Sequence, residues 1–143
     1  MSYAIAADLQ AHIYMRLTTG DGATALNGVP VYDVPPPAST DETFVLIGMD
    51  KTRSTRDSAG AQSRHQLVIS VICKTSGFHQ AKTIAGRVSD LLQAAPHGVL
   101  PSGTLLDLRF AQATARRIDN GAGRRIDLQF VAQADTETPT PTL

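Results

Sequence analysis

The 143-residue sequence is poor in the residues that build rigid chemistry. Its single cysteine, Cys73, excludes an internal disulfide framework and any zinc centre built on several thiolates. Tryptophan is absent and aromatic residues make up only 5% of the chain, so the interleaved aromatics of a base-stacking surface are missing. No charge predominates: 13 Lys and Arg balance 13 Asp and Glu. A global field that draws the chain to nucleic acid or anionic lipid is thereby excluded, while a local basic patch remains open. No apolar run approaches the ~20 residues that span a bilayer, so no membrane association is expected. Met1 to Asp8 lack a basic stretch followed by a long apolar one, so no signal peptide is expected and synthesis in the cytosol is.

What is present suits a folded domain. The hydrophobic fraction of 42% argues against disorder over most of the length. One domain over residues 1–134 is expected, followed by a flexible tail, 135–143, without apolar periodicity. Ile5, Leu9, Ile13 and Leu17 predict a helix over Ser2–Leu17 with Ser2 as its N-cap. A second face of that helix carries Ala4, Ala7, Ala11, Tyr14 and Met15. This is either an ordinary exposed face or one on which a neighbouring chain packs, since small residues permit close approach. A helical turn is expected around Ala23–Leu26, then a short strand over Val29–Asp33 whose Pro30 keeps it at a sheet edge or end. Pro35, Pro36 and Pro37 then stiffen the connection to an apolar strand, Thr43–Met49.

From Asp50 to Arg64 no large apolar residue occurs, which predicts a mobile loop or hairpin tip carrying Lys51, Arg53 and Arg56. His65–Lys74 reads as a strand, with Leu67, Ile69, Val71 and Cys73 on one face. A strongly amphipathic helix follows from Ser76 or Gly77 to Ala95, ended by Pro96 and Gly98. Two strands remain. In Thr104–Ala115, Leu106, Leu108 and Phe110 are expected on one face; in Arg124–Ala134, Ile126, Leu128, Phe130 and Ala132 are. Asp119-Asn120-Gly121 between them is a hairpin signal. The order predicts an α+β fold: a mainly antiparallel sheet of about five strands with two helices packed on one face.

Signals for chemistry are scarce. No phosphate-binding glycine loop, nucleophile elbow or H-E-x-x-H occurs. His12, His65, His79 and His97 fall on four different elements, and Cys73 shares a face with aliphatic residues, as a buried small hydrophobe does. Asp107, Asp119 and Asp127 lie among arginines, the pattern of a solvated charge ladder. No catalytic residue, cofactor site or metal site is expected, and the chain is not read as an enzyme. The pairs Arg116-Arg117 and Arg124-Arg125 flank the last turn, either as solvated arginines or as sites for non-specific phosphate contact.

Five segments, taken in order, resemble a known family. They are Ala7-Asp-Leu-Gln-Ala-His-Ile-Tyr-Met-Arg-Leu17, Val31-Tyr-Asp-Val-Pro-Pro-Pro37, Phe44-Val-Leu-Ile-Gly48, His65-Gln-Leu-Val-Ile-Ser-Val-Ile-Cys-Lys74 and Gly77-Phe-His-Gln-Ala-Lys-Thr-Ile-Ala-Gly-Arg-Val-Ser-Asp-Leu-Leu92. The chain resembles the small tail-completion or tail-terminator proteins of long-tailed phages and phage-like gene transfer agents, over about residues 3–132. Asp41-Glu42-Thr43 stands where the family usually has a proline before the second strand.

The resemblance implies a structural role without cofactor: a ring, commonly of six copies, at the head-proximal end of the tail tube. Such a ring stops tube polymerisation and offers a docking surface to the head connector. The partners it implies are further copies of the chain, the tail tube protein, a connector or stopper protein and, transiently, passing DNA. It places the protein in a phage-like particle, at the neck. On that basis Ala7, Ala11, Tyr14 and Met15, together with the sheet edges, are expected at subunit contacts. Lys51, Arg53 and Arg56 are expected to reach the tube or a neighbouring copy, and Arg116, Arg117, Arg124 and Arg125 to lie near an inner or axial surface. A different neck component, a stopper or adaptor, is the alternative, and a small α+β ligand-binding protein the more distant one.

Overall fold

A computed structural model describes residues 3–37, 42–57, 60–74, 77–94 and 97–136, with the backbone alone at 55–57. Helix α1 (Ala4–Thr18) and the short α2 (Asp21–Leu26) precede strands β1 (Val31–Tyr32), β2 (Phe44–Asp57) and β3 (Gly60–Cys73). Helix α3 (His79–Gln93) follows, then β4 (Gly98–Leu100), β5 (Gly103–Ile118), a 3₁₀ turn (Asp119–Gly121) and β6 (Gly123–Asp135). The strands form one six-stranded sheet in the order β1-β2-β3-β6-β5-β4. All neighbours are antiparallel except β1 and β2, which run parallel, so the α+β sheet is mixed. The one strand beyond the five expected is the three-residue β4, too short to carry a period.

Both long helices pack on the same face of the sheet. Ile5, Leu9, Ile13 and Leu17 of α1 and Ala81, Ile84, Ala85, Val88 and Leu92 of α3 are buried there. They meet the alternating inward residues Leu67, Ile69, Val71 and Cys73 of β3 and Ile126, Leu128, Phe130 and Ala132 of β6. Among the described residues, the opposite face carries no helix. Its lower end holds a small apolar group, Phe44, Leu46 and Ile72, with Tyr32 and Ile118 packed against it. At the last turn Asp119 (φ 53°), Asn120 (φ 55°) and Gly121 (φ 92°) adopt the left-handed conformation that the hairpin signal anticipates.

Four expectations are corrected. Tyr3, not Ser2, occupies the N-cap position of α1; Ser2 lies outside the described residues, as do Ser76, Ala95 and Pro96. The segment 50–64 is not a loop: β2 and β3 pair from Asp50↔Leu67 through Asp57↔Gly60. Its inward side chains are small or polar, Ala61, Ser63 and His65, so burial there leaves no hydrophobic pattern. In β5 a bulge inserts Leu106 between the Leu105↔Ala134 and Asp107↔Gln133 pairs. The extra residue reverses the parity of the strand, so Leu105 joins Leu108 in the core and Leu106 is exposed, while Phe110 keeps the face of Leu108 and packs on Phe130 but is still 39% exposed. Lastly, β6 runs on to Asp135 and the Thr136 amide donates to the Ala61 carbonyl, so residues 135 and 136 belong to the fold. Residues 137–143 lie outside the described residues.

Candidate interaction surfaces

The alanine face of α1 borders the β1 edge of the sheet. Ala7, Ala11 and Tyr14 line one wall of a groove of about 680 Å³, and Val31, Tyr32 and Asp33 line the other. Tyr14 is 47% exposed. Met15, at 53%, turns away from this groove toward His12, Arg16 and Thr19. The four residues expected at one contact are therefore divided between two surfaces.

Among the described residues, both sheet edges lack a neighbouring strand over most of their length. β1 covers only Val45 and Leu46 of β2, and β4 covers only Gly103–Leu105 of β5. Among the described residues no strand covers the rest of β2 or β5, although the Phe110 amide donates to Gln93 Oε1 at 3.0 Å. From Arg109 to Arg117 every residue of β5 is exposed, on both faces of the strand. The two edges differ in sequence and in neighbouring elements, so they offer unlike surfaces.

Strand alternation separates the arginine pairs. Arg116 lies opposite Arg125, and this pair shares the helix-free face with Ile72. Arg117 lies opposite Arg124, on the face of Cys73 and the helices. Arg124 is only 7% exposed: it donates to the carbonyls of Gly121 and Gly123 at 2.8 Å and stacks over the Phe78 ring at 4.8 Å. Neighbours in a strand point to opposite faces, so two adjacent arginines do not make one patch.

Lys51 and Arg53, from the arm formed by β2 and β3, join Arg116 and Arg125 on the helix-free face. Lys51 pairs with Gln66, and Arg53 lies directly opposite Arg64. These four residues, Lys51, Arg53, Arg64 and Gln66, line a hollow of about 270 Å³. The side chain of Arg56 lies outside the described residues.

The carboxylates near the last hairpin each have a basic partner. Asp127 accepts from Arg125 Nε at 2.8 Å and from Ser70 Oγ at 2.6 Å, with Arg116 at 3.8 Å. Burial raises its pKa, but the Ser70 and Arg125 hydrogen bonds and the two guanidinium charges prevail and bring it below the ordinary value. Asp119 pairs with Lys74 and Asp107 with Arg109, as a charge ladder predicts.

Sequence reasoning missed the polar group around His65. Its imidazole is fully buried, with Nε2 2.8 Å from Ser63 Oγ and Nδ1 3.0 Å from Thr52 Oγ1. Burial lowers its pKa, against a smaller opposing pull from Asp50. Ser63 and His65 stand two apart on one strand face, a spacing that could have signalled the contact. Burial, Arg16 and then the neighbouring His97 lower the pKa of His12; burial and Arg16 lower that of His97, against an opposing pull from Asp107. Cys73 is a buried free thiol whose pKa burial raises. Among the described residues no group of three His, Cys, Asp or Glu side chains is arranged to hold a metal ion, and no helix is long and apolar enough to cross a membrane.

Comparison with known proteins defines the class of this three-helix, mixed-sheet protein. Residues 11–134 match the family described as Tail completion protein gp17, and the chain belongs to that family. It is thus a structural component of a virion, at the tail or neck. A solved structure, titled "Virion of native gene transfer agent (GTA) particle", contains a chain 42% identical to this one. The match covers 93% of this chain and 98% of that one, with a TM-score of 0.81. No curated protein matches.

Proposed function

We propose that the protein assembles head-to-tail into a closed ring, with six copies as the expected number, on the head-proximal end of a tail tube. The ring stops addition of tube subunits and presents its other side to the head connector. The observation that carries this is the pair of unlike open sheet edges, β2 beyond Leu46 and β5 beyond Leu105, on a chain of the tail completion family. Two different patches that meet between copies generate a ring when the rotation closes, and a closed ring does not propagate. Its two sides are then unlike and suit two unlike partners, tube and connector.

In this reading the groove of Ala7, Ala11 and Tyr14 beside β1, with Met15 nearby, joins the edges at subunit contacts. The β2–β3 arm, bearing Lys51, Arg53 and Arg56, reaches the tube or the next copy. The arginines at 116, 117, 124 and 125 lie toward the axis; of these, Arg116 and Arg125 occupy the helix-free face. The identity of 42% to a chain of a gene transfer agent particle favours a particle of that kind. The test is the mass of the purified protein by light scattering, with negative-stain images, in the presence and absence of tube ends. Rings, free or on tube ends, are expected; a monomer that also ignores tube ends contradicts the proposal.

A further inference from the structure

We infer that the helix-free face of the sheet is a contact surface for the phosphate backbone of duplex DNA, centred on the hollow formed by Lys51, Arg53, Arg64 and Gln66. The inference takes from the ring reading only the presence of DNA at the particle neck. Strand register places six cations on this face: Lys51, Arg53, Arg64, Arg109, Arg116 and Arg125. Against them stand Asp107, Asp127 and Asp135, with Glu42 beside Tyr32 and Asp33 beside Arg116 and Arg125 at the β1 end. The positive excess is local: the hollow is lined by three cations and, among the described residues, by no carboxylate.

The arrangement of those charges is costly without an anion. Arg53 lies directly opposite Arg64, and Arg116 directly opposite Arg125. Like charges at such cross-strand positions repel. Asp127 relieves the second pair. Neither Arg53 nor Arg64 has an ion pair among the described residues, and the hollow they share with Lys51 has only the Gln66 amide as its fourth wall. A phosphate seated there would meet three cations and an amide donor, the side-chain types that contact DNA backbones.

Between the two arginine pairs runs a band of uncharged groups, Gln66, Gln112 and Gln129 among them. From Gln133, in the row of Arg64, to Arg125 the strand advances by ~26 Å at about 3.3 Å per residue. Cations at both ends of that span suit a duplex, whose major groove is about 12 Å wide, because each end can meet a different stretch of backbone. Exposed aromatic residues are absent from this face among the described residues: Phe110 belongs to the helix side with Phe130. Stacking of unpaired bases is therefore unsupported, and binding independent of sequence and strongly dependent on salt is expected.

The test uses the full-length protein and a fluorescently labelled duplex of random sequence, followed by anisotropy from ~50 to ~200 mM salt, a range over which phosphate contacts weaken sharply. The variant Arg64→Gln/Arg116→Gln is compared with Lys82→Gln/Arg87→Gln, which removes the same charge from α3. The first is expected to weaken binding at least about tenfold at ~50 mM salt and to reduce the salt slope by about 1.8 per copy. The second is expected to match the unaltered protein. Circular dichroism confirms that both variants fold. Absence of binding at low salt, or equal losses in the two variants, overturns the inference. So does displacement of the duplex by polyglutamate at equal charge concentration, which would make an acidic protein the partner. Capping of tube ends is measured on the same samples: its retention in the first variant separates loss of the DNA contact from failure of the ring reading.

Discussion

At the residue scale, the buried side chains fall into an aliphatic majority and a few polar groups that depend on one another. Phe130 is fully buried and meets Phe110 edge-on, with ring centroids 6.0 Å apart. Phe130→Ala should cost about 3–5 kcal/mol in denaturant unfolding, through lost transfer energy and the cavity left behind. His65 behaves differently. Its folded pKa is depressed, so the unfolded chain binds the proton more readily. Stability from this group is complete above its ordinary value of about 6.5 and declines as pH falls below it. His12 and His97, also depressed, act in the same direction. The melting temperature should therefore drop between pH 7.5 and 5.5, and His65→Leu should flatten that dependence. An equal slope in this variant would show that His65 contributes nothing to it. The hydrophobic members of the core were legible because they repeat at the helical or strand period. The His65 contacts were not, since a buried histidine and serine look like surface residues until their partners across the sheet are known.

At the element scale, local geometry decides which glycines are replaceable. A Cβ at Gly22, at the start of α2, would collide with the carbonyl of Arg16, where α2 packs on the end of α1. At Gly86, on the exposed side of α3, a Cβ would meet nothing within 4 Å. Gly86→Ala should stabilise the protein by about 0.5–1 kcal/mol, through reduced backbone entropy in the unfolded chain. Gly22→Ala should destabilise it, and the two are compared by thermal melting. The same contrast between local rule and tertiary setting explains what the sequence concealed. Helices α1 and α3 and strand β6 each follow a single period, so their buried residues are legible in the sequence, while their ends shift from the expected bounds. In β5 the bulge at Leu106 changes the parity in mid-strand, and no residue there announces it. In the β2–β3 arm, pairing rests on backbone hydrogen bonds and small side chains, so a paired ribbon resembles a loop in composition.

At the scale of the whole molecule, the fold separates its surfaces by role. One sheet face is covered by the helices, the other carries the cationic hollow of the β2–β3 arm, and two unlike edges lie between them. The family was legible from the order of five segments, whereas the division of each arginine pair between faces needed the strand register. Lys51→Ser/Arg53→Ser/Arg56→Ser should leave folding unchanged, because these residues lie on the arm outside the aliphatic core, but should reduce the yield of joined particles. Wild-type yield from this variant would remove the arm from the joining interface.

The most direct measurement for the central proposal is the length distribution of tail tubes polymerised with and without this protein. Added at the level of tube ends rather than tube subunits, it should arrest elongation and appear as a ring at one end of each tube in electron micrographs. Tubes that continue to lengthen at the unaltered rate in its presence, with both ends bare, would contradict the proposal that the protein terminates the tail.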